Sequence, residues 1–404
     1  MKVKKVEKDT VSKGRKTGII FILGTLIAIG PFSIDAYLPA FDQIASDFKV
    51  DTSTIGLTLT TYFIGIGLGQ LAYGPLMDKY GRRKPLIAGL VLYIVTCLMC
   101  VFAYDVLSLA ILRFFMALGA CAGMVASKAV VRDLFEKEQV ADVLSTLMLI
   151  MGIAPIIAPT VGGVIVSTLH WEWVFYGLAI FAGIMLLNVS FFLPESFVPN
   201  KATRLHPLPV LREYWGIYKN KDFFLFSSAR GFVIGMLLGY VAAAPFIFVE
   251  YFQMGTDNFG YIFGSNAAGL IAGSQVNRFF LTRYKTFDVT YVVSVLLTIV
   301  CLSLLAYGLL FDPIFWVVFP GLFLMMTLIG FQNPNTTALA LMPFTRRAGS
   351  ASAFVGAVSM IFGSLTSWFV ATFLTTSLTP LFLLIAFCGV MAHVAIESYR
   401  VRKQ

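Results

Sequence analysis

The chain has 404 residues, 58% of them hydrophobic and 13% charged, with a formal net charge of +9 and mean hydropathy +0.84. That balance excludes a soluble globular enzyme, and it argues against a nucleic-acid-binding module, because the bases are spread over many short connections. The five cysteines (Cys97, Cys100, Cys121, Cys301, Cys388) all lie inside apolar runs without ligand-like spacing, so neither a disulfide framework nor a metal site is expected.

In chain order, residues 1–16 form a polar, lysine-rich tail. The apolar run behind it is too long for a cleaved leader and lacks a small-residue cleavage site, so it is expected to be a retained first span. A span needs about 20 apolar residues. Twelve runs qualify, at about 18–41, 54–76, 84–103, 106–132, 140–168, 171–193, 222–250, 258–280, 287–311, 313–341, 347–374 and 377–398. An even number puts both basic ends on one side. Bases fall in alternate connections (Lys2 to Lys16, Lys79 to Lys84, Arg132 and Lys137, Lys201 to Lys221, Arg278 to Lys285, Arg346 and Arg347, Arg400 to Lys403), whereas the opposite connections hold only Lys49. The excess of Lys and Arg predicts cytosolic termini.

An ionisable group at membrane depth costs roughly 2.5–3.5 kcal/mol on insertion scales, so each one needs a partner or a wet cavity. Among the acids only Asp35 lies well inside a span, in GPFSIDAYLPAF. Pro39 deprives the Asp35 carbonyl of its helical donor, which predicts a kink beside the carboxylate. Asp35 is therefore the expected proton site. Arg113 of span 4, about 12 Å below Asp105 by helical rise, matches it in depth. Further down span 4, Lys128 lies near the Arg113 face and close enough to the end to snorkel to water.

Between spans 2 and 3 stands GPLMDKYGRRKP, Gly74 to Pro85, a short basic connection. Pro75 and Pro85 are expected at helix ends, and Asp78 is placed to accept from a helix start. Span 5 carries MGIAPIIAPTVGG, in which Pro155 and Pro159 one turn apart, with Gly152, Gly162 and Gly163, predict a bendable helix packed closely on a neighbour. The longest connection, 195–221, reads as a linker between halves. A constant offset lays Gly56, Gly65, Gly69 and Tyr80 onto Gly260, Gly269, Gly273 and Tyr284, so the halves read as copies. Thr282 and Thr286 then stand where Asp78 and Arg82 stand. The expected organisation is a tail 1–16, a six-helix bundle 17–194, a linker 195–221, a second bundle 222–399 and a tail 400–404.

Arg230, Asn266, Gln332, Asn333 and Asn335 are polar positions of the second half; the amides either contact substrate or satisfy backbone freed by Pro334. Tyr37, Tyr62, Tyr240 and Phe246 are aromatic candidates for the wall of a binding pocket. His170, His206 and His393 lie in connections or near a span end and support no proton relay.

The Gly74–Pro85 stretch resembles the helix 2–3 loop of the major facilitator superfamily, G-x-L-a-D-r-x-G-r-[rk]. RFFMALGACAG resembles its fourth-helix motif, R-x-x-q-G-x-g-a, with Met116 where Gln is frequent. Span 5 resembles the antiporter motif G-x-x-x-G-P-x-x-G-G, with Ala154 and Ala158 replacing two glycines. Those replacements, with SIDAYLPAF and SKAVVRDLF, resemble the bicyclomycin and chloramphenicol resistance (Bcr/CflA) branch of proton-coupled drug exporters. The resemblance implies an all-α integral membrane protein of 12 transmembrane helices in two pseudo-symmetric six-helix bundles. It implies export of small amphipathic compounds or antibiotics against protons by alternating access, in the bacterial cytoplasmic membrane. Asp35 and Arg113 would couple protons. Substrate would meet Asp35, Tyr37, Tyr62, Arg113, Tyr240, Phe246, Asn266 and Gln332. Gly74, Asp78, Gly81, Arg82, Arg132 and Asp133 would form a conformational gate, and Gly152, Pro155, Pro159, Gly162 and Gly163 a hinge. The expected partners are a small-molecule substrate, protons and the lipid bilayer, with no cofactor, no metal, no nucleic acid and a monomeric chain. A metabolite (sugar, amino acid or siderophore-like) transporter of the same fold is the alternative; no motif for a membrane enzyme or channel filter appears.

Overall fold

The computed structural model describes residues 13–199, 207–344 and 348–403. Much of the basic tail, the linker residues 200–206 (with Lys201 and His206) and the pair Arg346 and Arg347 lie outside the described residues. The described chain is helical: α1 (Lys13–Asp35), a 3-10 turn (Leu38–Ala40), α2 (Phe41–Phe48), α3 (Thr52–Tyr80), α4 (Arg83–Cys100), α5 (Val106–Leu134), α6 (Lys137–Thr168) and α7 (Glu172–Phe192), then α8 (Pro207–Tyr218), α9 (Lys221–Pro245), a π-helical turn (Phe246–Tyr251), α10 (Thr256–Phe280), α11 (Thr286–Leu310), α12 (Phe315–Leu341), α13 (Ala348–Phe373) and α14 (Thr379–Lys403). Among the described residues eleven helical stretches are long and apolar enough to cross a membrane. The twelfth long helix, α10, spans 25 residues and is more polar, packing between α6 and α12.

Small residues decide how these helices meet. α3 packs on α5 where Gly65 lies against the Phe114 carbonyl and Gly69 against Cys121, and α10 packs on α12 where Gly269 and Gly273 meet Phe323 and Thr327. A methyl at any of these four positions would push into the neighbouring helix. Gly56 faces Ala371 of α13, and its counterpart Gly260 faces Thr160 of α6. The glycine repeat thus has one meaning in both halves: two glycines seat a helix on its own bundle, and the third seats it on the other bundle. The α3–α13 and α6–α10 pairs join the bundles.

Three boundaries differ from the sequence reading. α1 does not merely kink; it stops at Asp35 and gives way to the 3-10 turn and α2. α3 continues four residues past the expected end at 76, so Gly74, Pro75 and Asp78 are helical and the connection shrinks to Gly81 and Arg82. Pro75 is tolerated inside the helix, and Pro85 falls in the first turn of α4, where its missing N–H has no intrahelical role. The linker contains α8, whose Tyr214 stacks on Phe354 of α13 at 5.3 Å between ring centroids.

Glu195 after α7 reaches the α3–α4 turn beside Lys79 and Arg83, and Asp222 at the start of α9 pairs with Arg402 near the end of α14, so these helix ends form a basic face. At the opposite face Asp105 begins α5 with a capping box: it accepts from the Ser108 N–H at 2.8 Å, and Ser108 in turn reaches the Asp105 N–H. These bonds from Ser108, side chain and backbone, hold the Asp105 carboxyl below its ordinary range.

Candidate functional site

The end of α1 frees backbone that must be satisfied elsewhere. In an unbroken helix the Ser33 carbonyl would accept from the Tyr37 N–H; here that N–H turns to Ile34, at 3.3 Å, and Pro39 has no N–H to offer Asp35. The orphaned Ser33 carbonyl accepts instead from Nη1 of Arg113, at 3.0 Å across from α5. Arg113 is fully buried. Its guanidinium lies between the rings of Tyr37 and Tyr62, 4.3 and 4.4 Å from their centroids, a desolvated cation–π arrangement worth about 2 kcal/mol per ring. Nε and Nη2 find no acceptor.

Arg113 therefore acts as the cap of a broken helix. Its depth matches Asp35, but the guanidinium goes to the backbone two residues earlier, and no ion pair joins it to Asp35 among the described residues. The tyrosines have definite duties as well. Tyr37 shares a hydrogen bond of 3.0 Å with Thr58, Tyr62 donates to the Gly30 carbonyl at 3.3 Å, and both are sealed from the surface. Ser33 adds a second clamp on the break through its 2.5 Å hydroxyl contact with Tyr93 of α4.

Asp35 itself is buried and forms no ion pair among the described residues. Its charge reaches the hydroxyl of Tyr240 on α9. Tyr240 accepts from the Asn266 amide of α10 at 2.8 Å and stacks on Phe263 at 5.9 Å; Asn266 Oδ1 is left without a donor. One cluster thus contains Asp35, Tyr240 and Asn266, with Arg113, Tyr37 and Tyr62 behind the break. Gln332 is elsewhere. Its amide donates to the Thr290 carbonyl of α11, inside the second bundle, at 3.0 Å. Asn335 pairs reciprocally with Asn277, at 2.9 Å in both directions. Phe246 stands in the π-helical turn, 6.4 Å from Tyr251.

The hinge residues of α6 come to the same place. α6 runs unbroken through Pro155 and Pro159, and Gly162, beside Gly163, lies directly under the Ala36 carbonyl, where any side chain would collide. Gly152 faces Ile271 of α10 at ordinary contact distance. The proline-bearing helix therefore touches both the break after Asp35 and the other bundle.

The gate cluster forms on the basic face. Arg82 donates to Asp78 at 2.7 Å and to Asp133 of α5 at 2.8 Å, and stacks 4.3 Å over Phe197. Burial works against its charge, yet the hydrogen bonds and charges of Asp133 and Asp78 outweigh it and hold the Arg82 pKa above the ordinary arginine range. Asp78 does not cap a helix start as expected, because Arg82 occupies it. That duty falls to Glu195, just after α7, which accepts from the N–H groups of Arg82 and Arg83 at 2.8 and 3.1 Å. Gly81 has φ +87° and lies under the Glu195 carboxylate. Ser196 adds a bond to Asp133 at 3.2 Å. Arg132 is exposed and outside this cluster, and Gly74 has open space beside it.

Glu195, Ser196, Ser33 and Tyr93 escaped the sequence reading. Glu195 had one visible mark, as the first acid after span 6; for the others nothing in the linear pattern distinguishes them from ordinary helix residues.

With this geometry in view, the comparisons with known proteins are decisive for the family. A sequence model of the Major Facilitator Superfamily matches residues 21–367. The chain belongs to the Major Facilitator Superfamily. Among its relatives are an uncharacterized MFS-type transporter, YdgK, of Bacillus subtilis, 30% identical over 96% of this chain and 97% of the relative, and a bicyclomycin resistance protein homolog of Haemophilus influenzae, 29% identical over 94% and 96%. The fold is shared with a crystal structure of a D-xylose-proton symporter at TM-score 0.72, 13% identity and coverage of 94% and 97%. The chain is accordingly a multi-pass membrane transporter and not an enzyme, and its relatives support the Bcr/CflA resemblance.

Proposed function

We propose that this transporter exports small amphipathic compounds in exchange for protons, with its basic face toward the cytosol. The observation that carries this reading is Asp35: a carboxylate buried at a helix break, without an ion pair among the described residues, whose charge reaches Tyr240 of the opposite bundle. A carboxylate permanently paired with Arg113 would be a structural brace. Here the arginine holds the backbone instead, and Asp35 is free to gain and lose a proton. If the outward-open state protonates Asp35 more readily while holding substrate less tightly, proton and substrate oppose one another through that equilibrium, so acid outside favours release and the proton gradient drives export. The relatives named for bicyclomycin and multidrug resistance support small, chemically varied substrates.

The gate residues Asp78, Arg82 and Asp133 then brace the basic face of the first bundle as one unit during rocking, and α6 transmits motion from the break to α10. The test is uptake of ethidium and of chloramphenicol into proteoliposomes under an imposed pH gradient, repeated with the gradient dissipated by nigericin. Gradient-dependent movement of either compound supports the reading. Gradient-independent counterflow of labelled sugars, amino acids or nucleosides, with no drug movement, would replace it with the metabolite-transporter alternative.

A further inference from the structure

Two cations deep on the basic side are used by neither the break nor the gate. Lys128 of α5 lies six residues, about 9 Å by rise, inside the end of its helix, and Arg230 of α9 nine residues, about 14 Å, inside the start of its own. α5 packs on α1, α3 and α4, and α9 on α12, α13 and α14, so the two residues belong to different bundles. The Arg230 charge nonetheless reaches Lys128.

Lys128 is only partly exposed. Helical side chains lean toward the N-terminus of their helix, and the charge of Lys128 is felt at Cys121, two turns further in. Among the described residues Arg230 has one hydrogen-bond partner, Oδ1 of the Asn333 side chain at 2.9 Å from Nη1; its buried Nε finds no acceptor. The other charge acting on Lys128 from nearby is again a cation, Arg132 one turn below. Among the described residues neither Lys128 nor Arg230 forms an ion pair. Two partly buried like charges within electrostatic reach, with no carboxylate partner among the described residues, are a poor brace and a good receptor: the Nε edge of a guanidinium is the edge that takes an oxyanion side-on.

We propose that Lys128 and Arg230 bind an oxyanion group of the substrate, a carboxylate or phosphonate on an otherwise apolar body, and that this group bridges the two bundles. Arg230 and Tyr240 are ten residues apart on α9, about 15 Å, so an elongated amphipath anchored at the cations extends toward Asp35 and Tyr240. Until an anion bridges them, the repulsion resists closure of the basic side; the bound anion removes that resistance. Calling the anion a substrate rests on the exporter reading, while its binding does not.

The test is calorimetric titration of the full chain in neutral detergent with three probes of one body: naphthylphosphonate, naphthalenemethanol and naphthylmethylammonium. The phosphonate is expected to bind at least about 10-fold more tightly than the alcohol, and Lys128→Gln and Arg230→Gln each to remove about that factor while leaving the alcohol unchanged. Arg230→Lys should retain part of the preference. Equal affinity for phosphonate and alcohol in the unmodified protein would overturn the proposal, as would preference for the ammonium or an undiminished phosphonate preference in folded Lys128→Gln. If Arg230→Gln fails to fold, the unmodified protein and Lys128→Gln still decide. Binding needs no gradient, so loss of proton coupling in the transport assay leaves this outcome intact, and the reverse holds.

Discussion

The two bundles break corresponding helices near a proline and treat the result differently. In the first, α1 ends at Asp35 before Pro39, and the freed Ser33 carbonyl is taken by a buried arginine held between two tyrosine rings. In the second, α9 passes Pro245 into a π-helical turn, and the polar groups above are neutral, Tyr240 with Asn266. The turns on the basic face repeat the contrast: Gly81 and Arg82 carry a latch of Asp78, Asp133 and Glu195, whereas the equivalent turn after α10 has Thr282 bonding locally to Phe279 and, among the described residues, no acid–arginine pair. The glycine packing is common to both halves while the charges differ. The first bundle carries the arginine at the helix break and the latch, and the corresponding positions of the second are neutral.

Substitutions that act on one bundle and spare its counterpart sharpen this contrast. Arg113→Met should have the largest effect. A hydrogen bond to a charged group is worth roughly 1.5–3 kcal/mol, so releasing the Ser33 carbonyl should cut transport by about 10- to 100-fold, measured as initial uptake; Arg113→Lys, which cannot stack on both rings, should recover little. Next is Gly81→Ala, which places a side chain at φ +87° against Glu195 and should cost about 1–3 kcal/mol of stability in thermal unfolding. Tyr240→Phe removes one neutral hydrogen bond and should cost about 1 kcal/mol, a few-fold in transport. Smallest is Thr282→Ala, the counterpart of the latch, expected within about 0.5 kcal/mol of the parent protein. An Arg113→Met effect no larger than that of Tyr240→Phe would break the contrast.

Much of this was readable from the chain itself. Apolar runs gave the long helices, the glycine offset gave the equivalence of α3 and α10, and Asp35 stood out as the acid at membrane depth. Two things were hidden. Where a helix ends depends on which distant group satisfies its last carbonyls, so neither the stop at Asp35 nor the run of α3 to Tyr80 follows from hydropathy. Partner choice is likewise three-dimensional: the guanidinium of Arg113 reaches the Ser33 backbone, and Glu195, far along the chain, supplies what Asp78 does not. Gln332 shows the same point, since its polarity does not reveal that its amide donates to the Thr290 backbone of α11.

The central claim is that Asp35 couples transport to protons without being needed to assemble the site. It is tested most directly with Asp35→Asn in proteoliposomes, comparing substrate counterflow without a gradient with accumulation under an imposed one. Counterflow within a few-fold of the parent protein, with accumulation no longer responding to the gradient, is the predicted result. Gradient-driven accumulation that survives in Asp35→Asn would contradict it.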